Sequence, residues 1–463
     1  MKTENSATAE DRSGRRRDLF AAGAGVLLVT VAVLVGRAIQ RADGSLHVQW
    51  PPLLASWDPH VGPGTPAAVV VAAAVVAYGP VLAARLPWRG LLLTVWASAL
   101  AWTLSLALVD GWYRGVARRL TTKHEYLRVI DRFDDIGAAL RGFEDHIVIG
   151  PPGNWPAHVA GHPPGATLTF VGLDRIGLGG GAWAAVWCLV LAASASVAVL
   201  VTLRALGDER LARRAAPFLV LAPVAVWAGV SADGYFAAVA AWSVALLALA
   251  ATRWRRDHRA KGAWAQALGS GLLFGLTCYL SYGLTLIAVL LLAVLVLART
   301  ARPLGPFLLG ALVVPLAFTS AGFNWWDAYH LLVERYYQGA GGVRPYGYWV
   351  WANLACTTLA AGLATVAGLR RAVAAAPDAV RTVRSGTTEA GQRLALLALA
   401  ALLALLVADL SGMSKAETER IWQPFVLWLL PAAALLPDTT RRGWLTAQAV
   451  VALLVNHLLW TGW

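Results

Sequence analysis

Long runs of apolar residues, separated by short polar or basic connections, make up most of this chain. The runs are rich in Ala, Leu and Val, and many are close to the roughly 20 residues that a helix needs to cross the hydrocarbon core of a bilayer. A membrane β-barrel would instead show segments of about ten residues with alternating polarity. The pattern therefore predicts an all-α, polytopic membrane protein.

Basic residues are concentrated in the short connections between the apolar runs, as in RLPWR at 85–89 and RWRRDHRAK at 253–261. Short loops rich in Lys and Arg face the cytoplasm in membrane proteins. Placing these connections and the N-terminus on that side predicts about 13 transmembrane helices. The predicted spans lie at approximately 19–39, 66–84, 90–109, 182–205, 215–231, 234–252, 264–280, 283–299, 304–321, 347–368, 393–409, 423–437 and 443–461.

Composition supports this interpretation, because 58% of the residues are hydrophobic and only 14% are charged, against about 25% charged in soluble domains. The net charge of +13 follows from the basic connections, and the sequence offers no soluble domain that would present a basic patch to nucleic acid. Heavy use of Ala, Leu, Arg and Gly is typical of a GC-rich bacterium such as an actinobacterium. Three cysteines, Cys188, Cys278 and Cys356, lie far apart in apolar runs, which indicates neither a disulfide nor a metal site.

The predicted topology places four polar segments on the outer side, so that the candidate chemistry faces one side of the membrane. Asp58 lies in one of these segments, and a second begins at Asp110, where an apolar run ends. The predicted regions are a cytosolic basic tail at 1–18, three N-terminal spans at 19–109, an outer catalytic loop with interfacial helices at 110–181, and the remaining bundle at 182–463 with outer loops at 323–349 and 409–422.

Two carboxylates in the outer loop are candidates for a general base. Asp110 ends a predicted span, where desolvation and nearby cations can tune a carboxylate. Glu125 lies in KHEYL beside His124, and it either activates an incoming hydroxyl or favours the first turn of an interfacial helix through the helix dipole. Asp233, in SADG, is a third acid at the membrane boundary. An Asp before a Gly also forms turns, and that explanation of Asp233 is at least as good as a catalytic role.

The sequence GHPPG at 161–165 predicts a rigid approach to a short apolar helix at 164–177, because two prolines fix φ while the flanking glycines allow tight turns. This helix is too short to cross and is expected to dip into the outer leaflet or lie along it. His162 is thereby presented at the membrane surface, either to a substrate or as a cap of the helix. The spacing of His158 and His162 falls in a proline-containing loop, which does not favour zinc.

Other outer residues offer cations for an anionic group and aromatic faces for sugars or prenyl chains. An ordinary aromatic belt at the membrane interface explains many of the aromatic residues, and Glu419 and Arg420 have the alternative of pairing with each other. The candidates for substrate binding are His124, Tyr126, His162, Arg335, Tyr336, Arg344, Tyr346, Glu419 and Arg420.

The order of these elements resembles the GT-C membrane glycosyltransferases, most closely the branch of the protein O-mannosyl and aminoarabinose transferases. The resemblance rests on an acid at a span end, the EYL segment, HPPG, a short helix, LGGGAWAA and a span ending in RALG, and it covers roughly 105–300. His124 and Glu125 stand where the family has an Asp-Glu pair, and two spans precede the module where one is usual.

The resemblance implies a GT-C fold and an enzyme that moves a sugar from a polyprenyl-phosphate donor to a hydroxyl of a glycan, lipid or protein. Asp110 or Glu125 is then the base, while His162, Arg335, Arg344 and Arg420 contact the donor. No cofactor is expected, although a divalent cation remains compatible. The implied location is the plasma membrane, with membrane lipids as partners, a cytoplasmic N-terminus and an extracytoplasmic site. A transporter or flippase of lipid-linked saccharides is the alternative, and a ligase or polymerase of lipid-linked polymers is a third hypothesis.

Overall fold

The computed structural model describes residues 2–257 and 260–461 and consists almost entirely of helices. Short 3-10 and π-helical turns connect many of the α-helices. The α-helices are α1 (Lys2–Ala42), α2 (Thr65–Arg85), α3 (Trp88–Ala107), α4 (Ile136–Arg141), α5 (Ala157–Ala160), α6 (Pro164–Arg175), α7 (Gly181–Leu206), α8 (Glu209–Val220), α9 (Ala225–Ala228), α10 (Ala232–Arg256), α11 (Lys261–Leu280), α12 (Ala288–Ala298), α13 (Leu304–Ser320), α14 (Trp325–Gln338), α15 (Ala340–Val343), α16 (Tyr346–Ala361), α17 (Leu363–Ser385), α18 (Ala390–Leu410), α19 (Thr418–Ile421), α20 (Gln423–Leu429) and α21 (Arg441–Leu458).

The predicted all-α membrane architecture is confirmed, with 6 helices in the described residues long and apolar enough to cross a bilayer, or up to 8 if each of two bent pairs is one span. The predicted number of 13 spans is not confirmed. The difference comes from predicted spans that are interrupted or short. The six helices or helical stretches are Ser13–Ala42, Thr65–Arg85, Trp88–Asp110, Gly181–Leu206, Ala232–Arg256 and Ala390–Leu410.

The predicted span at 215–231 is interrupted, because α8 ends at Val220 and only the single turn of α9 follows before α10 begins. Pro223 lies in the break, where a residue without an N–H group cannot continue the helical hydrogen bonds. Asp233 consequently lies in the first turn of α10 and not in a turn between two complete spans. The predicted span at 423–437 is also irregular, since α20 is followed by a 3-10 segment, Leu430–Leu435.

The predicted span at 347–368 is bent by 111° between α16 and α17. Gly362 lies at the bend with φ +79°, a conformation that favours glycine. The side chain of Gln448 holds the two helix ends, since its Nε2 donates to the Ala361 carbonyl at 2.9 Å and its Oε1 accepts from the Ala364 amide at 3.2 Å. A buried amide therefore satisfies backbone groups that the bend leaves open.

The described residues include one short antiparallel pair of strands, which the sequence did not predict. Strand β1 (Ala55–Trp57) pairs with β2 (Leu459–Thr461), so that Ala55 lies opposite Thr461. The pairing joins the segment after α1 to the segment after α21. The outer loop after α3 contacts both of these segments, since Arg119 donates to the Thr461 carbonyl at 2.8 Å and the Arg114 Nη2 lies 3.4 Å from the Asp58 Oδ2.

The polar segment at 110–164 is a packed structure of short helices, as predicted, with an aromatic core of its own. Trp155 stacks on Phe133 with ring centroids 5.7 Å apart, and its Nε1 donates to the Phe143 carbonyl at 2.8 Å. The Arg132 guanidinium lies 3.6 Å from the centroid of the Trp155 ring. Aromatic and cation–π contacts of this kind give a polar segment a fixed shape.

The polar and the basic segments collect at opposite ends of the long helices. The helix α2 begins beside Leu108, whose carbonyl accepts from the Gly64 amide at 3.0 Å. It ends beside Arg213, whose Nη1 donates to the Ala83 carbonyl at 2.6 Å. A helix of this length spans about 30 Å. Which end faces the cytoplasm stays a prediction.

Candidate active site

The polar segments that were predicted on one side of the membrane are joined by direct contacts at one end of the molecule. The Arg344 side chain donates from Nε to the Leu46 carbonyl at 3.0 Å and from Nη1 to the Lys415 carbonyl at 2.8 Å. The Arg335 Nη2 donates to the Trp155 carbonyl at 3.2 Å. Each contact joins segments that are far apart in the sequence. Together these segments form one polar layer at this end of the molecule.

Four buried ionisable residues form a chain of contacts at the centre of this layer. The Glu125 Oε1 lies 2.9 Å from the His158 Nδ1, the His158 Nε2 lies 3.4 Å from the Arg420 Nη2, and the Arg420 Nη1 lies 2.9 Å from the Asp233 Oδ2. Each of the four residues is between 5% and 8% exposed. We call these residues the Glu125 cluster. Charges buried to this extent are costly unless they are paired, and such groups concentrate at functional sites.

Local structure accounts for the position of each member of the Glu125 cluster. The His158 amide donates to the His124 carbonyl at 3.0 Å, which brings α5 beside the start of the 3-10 helix that follows Glu125. Asp233 lies in the first turn of α10, where the helix dipole favours an anion. Arg420 comes from the single turn of α19.

Electrostatics keeps Glu125 ionised in spite of its burial. Burial raises the pKa of the Glu125 carboxyl, but the facing His158 ring and the Arg420 guanidinium outweigh that effect, and the pKa is lowered overall. The Glu125 Oε2 is buried and has no hydrogen-bond partner among the described residues. Glu125 is therefore a carboxylate with one oxygen held and one oxygen open, which suits a group that accepts a proton from a substrate.

The segment GHPPG brings a second histidine beside the cluster. The Nδ1 of His162 lies 2.7 Å from the His158 carbonyl, to which it donates. Burial lowers the pKa of His162 to about 4, against the opposing attraction of Asp233. His162 is consequently neutral at physiological pH, with Nε2 as an acceptor. Tyr126 packs against it edge to face with ring centroids 5.8 Å apart and stacks on Phe170 at 5.4 Å.

A strained turn carries Arg420 into the layer. Ala416 and Glu417 both have a positive φ, +75° and +64°, a conformation that costs a residue other than glycine about 1 kcal/mol or more. The Glu417 carboxylate lies between two guanidinium groups, 3.5 Å from the Arg344 Nη1 and 3.4 Å from the Arg420 Nη2. Its side chain is 25% exposed, so this carboxylate occupies the solvent side of the pair of arginines.

Glu419 and Arg420 bind different partners. The Glu419 Oε1 accepts from the Leu54 amide at 3.0 Å, which ties the turn to the segment before β1. Burial raises the pKa of the Glu419 carboxyl to about 7, although the backbone hydrogen bonds oppose it. The pKa of Arg420 is also raised overall, but for a different reason. Burial lowers it, and the negative charges of Asp233, Glu417 and Glu125 outweigh that effect.

Asp110 lies in a different group of contacts. Its Oδ2 accepts from the Arg119 Nη2 at 2.8 Å, and its Oδ1 lies 3.3 Å from the His60 Nε2. Arg119 also donates to the Thr461 carbonyl at 2.8 Å, in the strand β2. We call Asp110, Arg119 and His60 the Asp110 cluster. These contacts tie the outer loop to the segment between α1 and α2 and to the segment after α21.

The remaining candidate residues lie around the Glu125 cluster in different roles. His124 contributes its backbone carbonyl to His158, and its imidazole pKa is lowered by burial, by His158 and by Lys123. The Tyr336 hydroxyl accepts from the Lys415 amide at 2.9 Å. The Tyr346 hydroxyl donates to the Leu410 carbonyl at 3.3 Å, and the ring is exposed.

Sequence reasoning did not select three residues that the structure brings to the site: His158, Asp233 and Glu417. The spacing of His158 and His162 argues only against zinc, and the sequence SADG explains Asp233 equally well as a turn former. The available signal was that Asp233 lies two residues after Ser231 and directly before a predicted span, where the helix dipole favours an acid. The pairing of His158 with Glu125 depends on the folded loop and has no signal in the spacing.

Within residues 2–257 and 260–461, no group of three or more His, Cys, Asp or Glu side chains is placed to hold a metal ion. A cavity of about 50 Å³ lies next to the site, lined by Gly234 and Gln423 and otherwise mainly by apolar residues of α3, α7 and the segment from the end of α8 through α9. This volume suits a few water molecules and not a sugar.

Comparison with known proteins gives structural likeness only. No family model matches the chain, and no curated protein matches its sequence. The crystal structure of the apo Archaeoglobus fulgidus oligosaccharyltransferase is 15% identical with a TM-score of 0.48, over 74% of this chain and 50% of that one. The archaeal oligosaccharyltransferase AglB of the same organism, in complex with an inhibitory peptide and a dolichol-phosphate, is 14% identical with a TM-score of 0.45, over 75% and 50%. The chain spans about half the length of these proteins.

Proposed function

We propose that this protein is a GT-C-type membrane glycosyltransferase that moves a sugar from a polyprenyl-phosphate donor to an acceptor hydroxyl. Two independent lines support the proposal. One is the order of sequence elements from Asp110 to the RALG segment, which resembles that superfamily. The other is the polar layer at one end of apolar helices, where a lipid-linked donor and a water-soluble or membrane-bound acceptor can meet.

The observation that carries the proposal is the Glu125 Oε2, which has no hydrogen-bond partner among the described residues, inside a buried cluster of ionisable side chains. In the proposed reaction the Glu125 Oε2 accepts the proton of the acceptor hydroxyl, whose oxygen attacks the anomeric carbon of the sugar. The bond from that carbon to the phosphate oxygen breaks, and the electron pair leaves with the polyprenyl phosphate. A base of this kind contributes about 100-fold to 10,000-fold to a rate.

The leaving phosphate requires cations that stabilise its negative charge. Arg344 is the proposed contact, because its Nη1 already faces the Glu417 carboxylate at the more exposed side of the layer. That carboxylate marks a position where an anion is held between Arg344 and Arg420. The neutral His162 is proposed to accept a hydrogen bond from a sugar hydroxyl through its Nε2. Arg335 is proposed to support the loop through the Trp155 carbonyl.

The finer parts of the proposal follow from the resemblance and the predicted topology. They are an extracytoplasmic site in the plasma membrane, a prenyl chain lying among the apolar helices, and a glycan, lipid or protein acceptor.

The test is sugar transfer by the purified full-length protein in liposomes. The donors are synthetic polyprenyl phosphates carrying single hexoses or pentoses, and the products are followed by mass spectrometry of the donor lipid and of added acceptors. We expect release of free polyprenyl phosphate that depends on an acceptor and is lost in Glu125→Gln. Movement of an intact donor between the two leaflets, with no release of phosphate from any donor, would contradict the proposal and favour a transporter or flippase.

A further inference from the structure

His158 lies between an acid and a guanidinium group, each facing a different nitrogen of its ring. The Nδ1 is 2.9 Å from the Glu125 Oε1, and the Nε2 is 3.4 Å from the Arg420 Nη2. An arginine can only donate hydrogen bonds. The two neighbours therefore make opposite demands on the two ring nitrogens.

These demands define one protonation state of the ring. The Arg420 N–H needs a lone pair on Nε2, so Nε2 carries no proton. The proton of the neutral ring is then on Nδ1, where it is donated to the Glu125 carboxylate. A ring with the proton on Nε2, or with protons on both nitrogens, would set an N–H group against the Arg420 N–H group.

We infer that Arg420, held by Asp233, fixes His158 as the Nδ1–H tautomer and so makes His158, Arg420 and Asp233 positioning residues for Glu125. This inference rests on the proposed function of Glu125 as the base. It gives Arg420 a role that differs from contact with the donor phosphate. The Asp233 carboxylate orients the guanidinium, the guanidinium selects the tautomer, and the imidazole holds one oxygen of Glu125.

The backbone around His158 keeps the ring in this place. Its amide donates to the His124 carbonyl at 3.0 Å, and its own carbonyl accepts from the His162 Nδ1 at 2.7 Å. The Tyr126 ring packs against it with centroids 6.1 Å apart. With the residue fixed on both sides, the ring can satisfy Glu125 and Arg420 together only in the Nδ1–H form.

The consequence for the reaction is that the two oxygens of Glu125 are no longer equivalent. Oε1 faces the His158 Nδ1 at 2.9 Å, whereas Oε2 is buried and has no hydrogen-bond partner among the described residues. A base held in one orientation avoids the loss of rate that comes with a displaced reacting group. Removing the orientation should therefore lower kcat more than it raises KM for the donor.

The first test is spectroscopic and needs no turnover. The full-length protein, labelled with ¹⁵N-histidine and reconstituted in nanodiscs, contains 9 histidines, and His158→Asn identifies the His158 signal by its absence. We expect a ¹⁵N–¹H correlation pattern of the Nδ1–H tautomer near neutral pH. An Nε2–H tautomer or a doubly protonated ring would overturn the inference, even if the protein proves to be a glycosyltransferase.

The second test uses two substitutions of His158 that are matched in chemistry but differ in reach. The amide nitrogen of Asn approximates the position of Nδ1, and that of Gln approximates the position of Nε2. His158→Asn should retain kcat to within about 10-fold, whereas His158→Gln should lose about 100-fold, in the range of general-base effects. Equal losses in the two variants would contradict a donor role for Nδ1.

The third test separates the positioning role of Arg420 from phosphate binding. Arg420→Met is combined with Asp233→Asn, so that no buried carboxylate is left unpaired. We expect the Nε2–H signal of His158 to appear and kcat to fall about 10-fold to 100-fold with little change in the donor KM. A higher donor KM at unchanged kcat, with the Nδ1–H tautomer retained, would show that Arg420 binds the phosphate and does not act through His158. If the double variant fails to fold, the wild-type spectrum and the His158 pair still decide.

Discussion

Asp110 and Glu125 are carboxylates of the same polar loop, and both contact a histidine, yet their surroundings differ. Asp110 bonds Arg119 and faces His60, and these contacts tie the loop to β2 and to the segment before α2. Glu125 faces His158 and, through it, Arg420 and Asp233, which come from α19 and α10. The Asp110 cluster joins the outer loop to the segments after α1 and α21, and the Glu125 cluster joins it to α10 and α19.

The difference shows which features separate an architectural ion pair from a reactive one. Both oxygens of Asp110 face a partner, whereas the Glu125 Oε2 is buried with none among the described residues. A carboxylate that is fully engaged stabilises a fold, and one with an unused lone pair can accept a proton. The comparison therefore selects Glu125 as the base of the proposed reaction.

The largest expected difference between the two clusters is in activity. Glu125→Gln should lower the rate of sugar transfer about 100-fold to 10,000-fold, because the amide cannot accept the proton. Asp110→Asn should lower it less than about 10-fold, since it changes a contact away from the proposed reaction. Initial rates with one polyprenyl-phosphate sugar measure both. A greater loss in Asp110→Asn would reverse the assignment.

The next difference is in stability after removal of a cation. Arg420→Ala leaves the buried Asp233 unpaired and should cost about 3–5 kcal/mol of unfolding free energy. Arg119→Ala should cost about 1–2 kcal/mol, because Asp110 keeps its contact with His60. Unfolding in detergent with increasing denaturant, followed by tryptophan fluorescence, gives both values. Equal costs would mean that the two clusters are buried and coupled to the same degree.

A third expected difference is in the dependence of stability on pH, and it concerns two carboxyl groups near the Glu125 cluster, Glu419 and Glu125 itself. Glu419 has a pKa raised from about 4.5 to about 7, so folding favours its protonated form. Its contribution to the free energy of unfolding is complete below about pH 4.5 and is lost as the pH rises to about 7. The loss amounts to about 3 kcal/mol, since a difference of one in pKa corresponds to about 1.4 kcal/mol.

Glu419→Gln should therefore remove the decline in unfolding free energy between about pH 4.5 and pH 7. Glu125→Gln is the matched control, because the pKa of Glu125 is lowered and its favourable contribution disappears only as the pH falls below that range. Midpoints of chemical unfolding across this pH range provide the measurement. A decline that persists in Glu419→Gln would refute the assigned protonation of this residue.

The smallest expected effect concerns the turns that carry the two clusters. Ala416 and Gly111 both have φ +75°. Ala416→Gly relieves a strained conformation and should raise stability by up to about 1 kcal/mol, and Gly111→Ala introduces the strain and should lower it by about 1 kcal/mol. A Cβ at Gly111 meets no atom within 4 Å, so only the backbone contributes. Thermal midpoints of the same sign would contradict this explanation.

The sequence predicted a helical membrane protein and a short helix after GHPPG because apolar length and proline placement are local signals. The distribution of basic residues also predicted that the polar segments lie on one side, and the predicted number of 13 spans is not confirmed. The break at Pro223 and the bend at Gly362 were not predicted, because both lie in continuous apolar sequence. The bend at Gly362 is held by a distant residue, Gln448.

The site was only partly predictable for a related reason. Glu125 and Arg420 were found as polar residues in an apolar chain, but their connection runs through His158 and Asp233, which lie in other segments. A choice between Asp110 and Glu125 depends on which lone pairs remain open. That property belongs to the folded contacts and not to the spacing of the residues.

The most direct test of the account is chemical rescue of the proposed base. Glu125→Ala and Asp110→Ala are assayed for sugar transfer with and without added formate, a small carboxylate that can occupy the space of the missing group and accept a proton. The account predicts that formate raises the rate of Glu125→Ala by about 10-fold or more and leaves Asp110→Ala unchanged. Rescue of Asp110→Ala with no rescue of Glu125→Ala would contradict it.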